Sequence, residues 1–149
     1  MNAISSGSQA TQEKPHLDVK AVIQGDVVHV SYSINNTGKR SIYVMNKLWS
    51  MNKIGDYVDP MLPAYVCVTE NNLGHFLKGI PPLPQNQFVE MRVIPFATKV
   101  ESGEKYSESF EIPLPVDEYN PYFPANKDST YQLKSVDALK FTLHYLSEL

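Results

Sequence analysis

The side chains able to do chemistry are scattered along this chain. His16, His29, His75 and His144 are the four histidines. None stands at the His-x-x-x-His spacing that offers two imidazoles to one metal ion. Cys67 is the single cysteine, so neither an internal disulfide nor a cysteine-based zinc site can form. Its neighbours Tyr65, Val66 and Val68 mark it as a small apolar residue in a strand rather than a nucleophile. The carboxylate pairs Glu101/Glu104 and Asp117/Glu118 fall in turns. Acid–base work needs an enclosed cleft that drives two pKa values apart, and a turn does not supply one. Asp56 and Asp59 share a loop, but calcium takes about six to eight oxygens, so two unpatterned carboxylates read as solvated. No Gly-x-Ser-x-Gly and no glycine-rich loop running into a helix is present. Asn35-Asn36-Thr37 is formally a glycosylation acceptor and reads as turn chemistry. No residue is assigned to catalysis, to a metal or to a cofactor.

One stretch does offer a surface. Pro113–Pro124 contains four prolines, which exclude a regular strand or a long helix. It also carries Leu114, Val116, Tyr119, Tyr122 and Phe123. Long apolar loops either fold back onto the core or bind something. Folding back is the first expectation. Val116, Tyr119, Tyr122 and Phe123 are the candidate residues if the loop instead meets a partner.

The elements that would position such a loop are strands. From Val28 to Ile34 the apolar residues alternate as Val28, Val30, Tyr32 and Ile34, with His29, Ser31 and Ser33 between them. A period of two means one buried face and one wet face. Asn35-Asn36-Thr37-Gly38 turns the chain, and Ile42-Tyr43-Val44 resumes as a strand that continues towards Trp49, read as a core plug. Before this unit, Leu17–Gln24 forms a strand with Leu17, Val19, Ala21 and Ile23 on one face. Gly25-Asp26 joins it to the next strand as an antiparallel hairpin. Met51–Leu62 reads as a loop. Tyr65–Glu70 and His75–Ile80 form a second hairpin. Ile80-Pro81-Pro82-Leu83-Pro84 is a rigid crossover. Phe88–Phe96 reads as a central strand and Thr98–Gly103 as a connection. In Lys105–Leu114, Glu108 interrupts an apolar face, which suggests a bulge or a polar edge. Asn126–Tyr131 is polar and turn-like, and Gln132–Ser135 is a short turn or helix. Ala138–Leu146 turns Leu139, Phe141, Leu143 and Tyr145 inward, and Lys140, Thr142 and His144 outward.

The fold class that follows is all-β: an antiparallel two-sheet sandwich of seven to eight strands. Residues 1–16 form a polar tail, with Met1–Lys14 disordered, and residues 17–149 form one domain. A chain of 149 residues buries about 70% of its unfolded surface, enough for one core. The net charge is −3 with no basic stripe, which argues against nucleic acid. No apolar run reaches the ~20 residues of a membrane span. As written, the start is not a signal peptide, which points to the cytoplasm. A replaced signal would instead mean a periplasmic or cell-envelope protein.

Val30–Gly38, Val-Ser-Tyr-Ser-Ile-Asn-Asn-Thr-Gly, resembles the second strand and Asn-x-Gly turn of bacterial immunoglobulin-like domains. Val100–Phe110, Val-Glu-Ser-Gly-Glu-Lys-Tyr-Ser-Glu-Ser-Phe, resembles their later Ser-Gly-Glu turn and the strand after it. The nearest family is the intracellular proteinase-inhibitor type, which implies an immunoglobulin-like sandwich and a protein-binding role. The two motifs span 20 of the 149 residues and carry over no functional residue.

Three functional readings remain, in this order. The first is a non-enzymatic interaction module for another protein or peptide, using the Pro113–Pro124 loop or an exposed sheet edge. The second is an accessory domain of an exported assembly. The third is an enzyme with a site assembled in space.

Overall fold

The computed structural model describes residues 2–5, 14–52, 55–59, 62–69, 73–83, 93, 95–119, 122 and 132–148. Its regular elements are all strands. They are β1 (Asn2–Ser5), β2 (His16–Gln24), β3 (Val27–Asn35), β4 (Ile42–Lys47), β5 (Trp49–Asn52), β6 (Gly55–Val58) and β7 (Tyr65–Thr69). There follow β8 (Leu73–Lys78), β9 (Phe96–Val100), β10 (Lys105–Pro113), β11 (Val116–Asp117), β12 (Gln132–Leu133) and β13 (Ala138–Ser147). Among the described residues no helix is long and apolar enough to cross a membrane.

The larger sheet runs β7-β8-β13-β4-β9, with β1 also paired to β13. The smaller runs β10-β3-β2. Alternation dictates what each turns inward. Val28, Val30, Tyr32 and Ile34 of β3 are buried, as are Phe110 and Ile112 of β10. They share one hydrophobic cluster with Val44, Phe76, Phe141, Leu143 and Tyr145 of the larger sheet. Phe141 lies 5.0 Å from Tyr32 and 5.7 Å from Phe110, centroid to centroid. Trp49 is buried, as a core plug should be.

The β2–β3 hairpin forms as its sequence indicates. Gly25 takes φ +58°, a turn conformation that glycine adopts without steric cost. The Asn35–Gly38 turn, by contrast, does not close a hairpin. It carries the chain from the smaller sheet to the larger, around the buried Asn36. Asn36 Nδ2 donates to the carbonyls of Arg40 (2.8 Å) and Val100 (3.0 Å), and its Oδ1 accepts from Gly38 N–H. Its backbone N–H donates to Glu104 O at 2.9 Å, and its carbonyl accepts from Gly103 N–H at 2.7 Å. The two turn motifs singled out in the sequence are thus tied to each other at one end of the fold.

Several expectations are corrected. In the Met51–Leu62 stretch, Asn52, Gly55 and Asp56 belong to the paired strands β5 and β6 rather than to a loop. Thr98–Val100 belongs to β9, paired to β4, rather than to a connection. Thr98 disguised the pattern, since its hydroxyl donates inward to Asn46 Oδ1 at 2.8 Å. Gln132–Leu133 is extended and pairs with Val116–Asp117; two residues are too few to show a period. The β10–β3 register runs unbroken from Lys105↔Asn35 to Pro113↔Val27, so Glu108 sits in no bulge. One pairing is parallel, β8 with β13, where a fully antiparallel arrangement was expected; the long crossover between them permits it. Asn2–Ser5, within the polar tail, pairs with β13. The Phe88–Arg92 and Ile94 part of the expected strand, and Asn126–Tyr131, lie outside the described residues.

Candidate docking edge and its surroundings

The β10-β3-β2 sheet has a polar outer face. Register places Ser107, Ser33 and Asp18 in one rank and Ser109, Ser31 and Lys20 in the next. Short hydroxyl side chains in the middle, with longer charged ones at the side, leave a shallow trough of about 500 Å³ that Lys105 closes at one end. Tyr32 and Glu108 also border it, from residues whose side chains turn to the other face. In the following rank His29 Nδ1 meets Glu111 Oε1 at 3.1 Å, an ion pair whenever the imidazole is protonated.

The side of this sheet is β2. Leu17 is buried, but the inward apolar face runs out into solvent, where Ala21 is exposed and Ile23 is 49% exposed; Val22, on the outer face, is 41% exposed. The inward residues of β2 are therefore as its alternation indicates, but only the first half has a sheet opposite. Gln24 pairs with Val27 across a two-residue turn. Such a turn is flanked by a hydrogen-bonded pair. Alternation then directs the backbone groups of Gln24, Val22, Lys20 and Asp18 to β3. Those of Ile23, Ala21, Val19 and Leu17 point the other way. Among the described residues no strand pairs with that side. Natural sheet edges are shielded by proline, by bulges, by inward charges or by covering segments. From Leu17 to Gln24 there is no proline, the register has no shift, and Lys20 is the one lysine.

The larger sheet is treated differently. At β7 the carbonyl of Val66 accepts from Tyr119 N–H at 3.0 Å, which places Tyr119 beside that strand. The Tyr119 ring stacks on Tyr65 at 6.0 Å and packs on a second cluster with Leu48 and Leu77. Tyr122 is buried and its hydroxyl donates to Pro81 O at 2.7 Å. Val116 packs against the main cluster. Phe123 lies outside the described residues. The loop candidates whose positions are described thus face the fold, on the flank of β7 and β8.

Between the sheets lies a polar cluster that the sequence reading missed. Glu108 Oε1 takes Lys78 Nζ at 3.1 Å, and its Oε2 accepts from the Tyr32 hydroxyl and from Asn46 Nδ2. Asn46 Nδ2 also donates to Tyr106 Oη at 2.9 Å. Lys78 is 3% exposed and its Nζ stands 5.0 Å from the Phe110 ring centroid. Burial pulls the Lys78 pKa down, with Glu108 partly offsetting it. Burial pushes Glu108 up, but the Tyr32 hydroxyl, Lys78 and Asn46 together outweigh it and hold the carboxyl below its usual range. Burial and the neighbouring carboxylate raise the Tyr32 hydroxyl far above the phenol range. The signal in the sequence was Glu108 itself, a charge on an apolar face, and register puts it opposite Tyr32. The buried ammonium ties the sheets through Glu108, whose own side chain is 29% exposed.

On the outer face of the larger sheet, His144 does not stand free in solvent as its alternation suggests. Its Nδ1 accepts from Ile80 N–H at 3.0 Å. His75 Nε2 lies 3.1 Å from Thr142 Oγ1. Burial lowers both imidazole pKa values; Lys140 and His144 add to it at His75, and the N-terminus at His144. Cys67 is half-buried, and burial with Glu118 nearby raises its thiol pKa, as for an inert cysteine. Among the described residues no three His, Cys, Asp or Glu side chains converge on a metal position. Compared with known protein families, with curated proteins and with solved structures, the chain shows no match.

Proposed function

We propose that the chain is a non-enzymatic interaction module that holds an extended polypeptide segment by strand addition at β2. The observation that carries this reading is the β2 edge: a nine-residue strand whose second half is open on both faces and along one side. Strand addition draws affinity from main-chain hydrogen bonds and specificity from alternate side chains. Leu17, Val19, Ala21 and Ile23 supply the first; Asp18 and Lys20, on the rim of the serine trough, and Val22 beyond them on the same face supply the second. The polar side chains argue the same way. Among the described residues every buried side-chain nitrogen and oxygen has a partner, so the interior keeps no polar group in reserve for a ligand.

The fold is read with it as an immunoglobulin-like sandwich. Two sheets share one core, and the Asn-Thr-Gly and Ser-Gly-Glu turns are joined through Asn36. A strand held on a sheet edge is also how a domain of this kind would engage an extended proteinase loop. The test is selection from a displayed peptide library against the wild type and Ala21→Pro. Proline at 21 removes an outward N–H and leaves the ladder to β3 intact. Enrichment of alternating apolar peptides by the wild type alone supports the reading. Peptides retained equally by the variant would overturn it.

A further inference from the structure

We infer that the segment this edge fits best is its own counterpart: β2 of a second copy of the chain, paired antiparallel about a two-fold axis at Val19. This rests on the reading of β2 as a docking edge and names its partner.

The outward backbone groups belong to Leu17, Val19, Ala21 and Ile23, so a second β2 must match these residues with one another. A two-fold at Val19 does so. Val19 faces Val19, and Leu17 faces Ala21 of the second copy. The residues between them then form the close, non-hydrogen-bonded pairs. In those pairs Asp18 of each copy stands opposite Lys20 of the other, twice by symmetry. Both side chains project to the outer face, where Asp18 and Lys20 stand in successive ranks of the trough. Shifting the axis by one residue to Lys20 keeps the backbone match but sets Lys20 against Lys20, and like charges directly opposite are unfavourable. Shifting it to Ala21 leaves Asp18 against Gln24 and Lys20 against Val22, with no charge paired. Asp18 and Lys20 are the only acidic residue and the only lysine or arginine in β2, and one register pairs both.

His16 joins this arrangement without blocking it. Its Nε2 already meets Asp18 Oδ1 at 3.0 Å within the strand, and the other carboxylate oxygen remains for Lys20 of the second copy. In the paired state His16 lies opposite Val22, covering a side chain that is 41% exposed in the single chain. The result is a continuous six-stranded sheet, β10-β3-β2 followed by its mirror order, with the two serine troughs running together across the axis. Isologous pairing of this kind closes and does not propagate.

The test is sedimentation velocity of the full chain from micromolar to millimolar concentration. Wild type, Asp18→Lys and the exchanged double variant Asp18→Lys/Lys20→Asp are compared. The wild type is expected to form a dimer and no higher species. Asp18→Lys turns two attractions into two repulsions and should weaken it roughly tenfold to a hundredfold. The double variant restores opposite pairs and should recover the dimer. Asp18 and Lys20 are exposed, so folding is not at stake, and circular dichroism checks this. A wild type that stays monomeric, or a dimer indifferent to Asp18→Lys, overturns the inference. A monomer that still selects peptides lost in Ala21→Pro overturns self-pairing alone and leaves the edge itself in place.

Discussion

Glu108 stands directly opposite Tyr32 across the β10–β3 ladder, and its carboxylate accepts the Tyr32 hydroxyl while pairing with Lys78 from the other sheet. One carboxylate therefore joins the two sheets through a strand partner and a facing cation. Glu108→Gln leaves the Lys78 ammonium buried without its counter-charge. It should cost about 3 kcal/mol at neutral pH, read by denaturant unfolding. The pH dependence follows from the lowered Glu108 pKa. Its contribution is present above the ordinary carboxylate range and is lost as pH falls through the depressed native value. The gap between wild type and Glu108→Gln should therefore close in acid. A gap constant with pH would show that the charge of Glu108 is not what binds the sheets.

Asn36 holds the corner where the chain changes sheets. Asn36→Ala removes the side-chain bonds to Arg40, Val100 and Gly38 and strands a buried carbonyl at Val100. The expected loss is about 1–3 kcal/mol. Thr37→Ala, one position on and exposed, should be nearly neutral, and thermal melts of the two variants check the contrast.

Gly79 takes φ +147°, and a methyl group at its Cα would run into the His144 imidazole. Gly79→Ala should destabilise by about 1–3 kcal/mol, and unfolding midpoints measure it. The same contact is sensitive to acid. The lowered pKa of His144 means that the native state binds fewer protons than the unfolded chain as pH falls below the usual imidazole value. Stability should decline across that window, because burial disfavours the charged ring and protonated Nδ1 cannot accept from Ile80 N–H. NMR titration of the His144 ring reports it directly, and a midpoint above the ordinary value would contradict the account.

Tyr122 distinguishes packing from display. Tyr122→Phe removes the bond to Pro81 O and should cost about 1 kcal/mol. Tyr122→Ser also empties a buried site and should cost about 3 kcal/mol. Comparing the two melts with peptide capture by the same variants shows whether the ring serves the fold or a partner.

Much of this was legible beforehand, and the reasons are specific. Val28–Ile34 and Leu139–Tyr145 alternate cleanly because each has one sheet face to bury, so strand and face could both be read. The strands β5, β6, β11 and β12 are two to four residues long, too short to carry a period. Thr98 and Glu108 face inward as polar residues, which hid a strand in one case and suggested a bulge in the other. Their reason lies in Asn46, Lys78 and Tyr32, on other strands, and local sequence does not reveal it. An exposed sheet edge was named as a class of surface but not located. Ala21 and Ile23 look like core in the sequence, and only the extent of the opposing sheet leaves them exposed.

Amide hydrogen exchange along β2, followed by NMR at the lowest workable concentration, tests the central claim most directly. Alternation is expected along the strand. Amides of Asp18, Lys20 and Val22, bonded to β3, exchange slowly, while those of Val19, Ala21 and Ile23 exchange fast. The fast set should become protected when a peptide is bound or the concentration is raised. Uniform protection of β2 in the dilute, unliganded chain would mean that the edge is already covered, and would contradict the account.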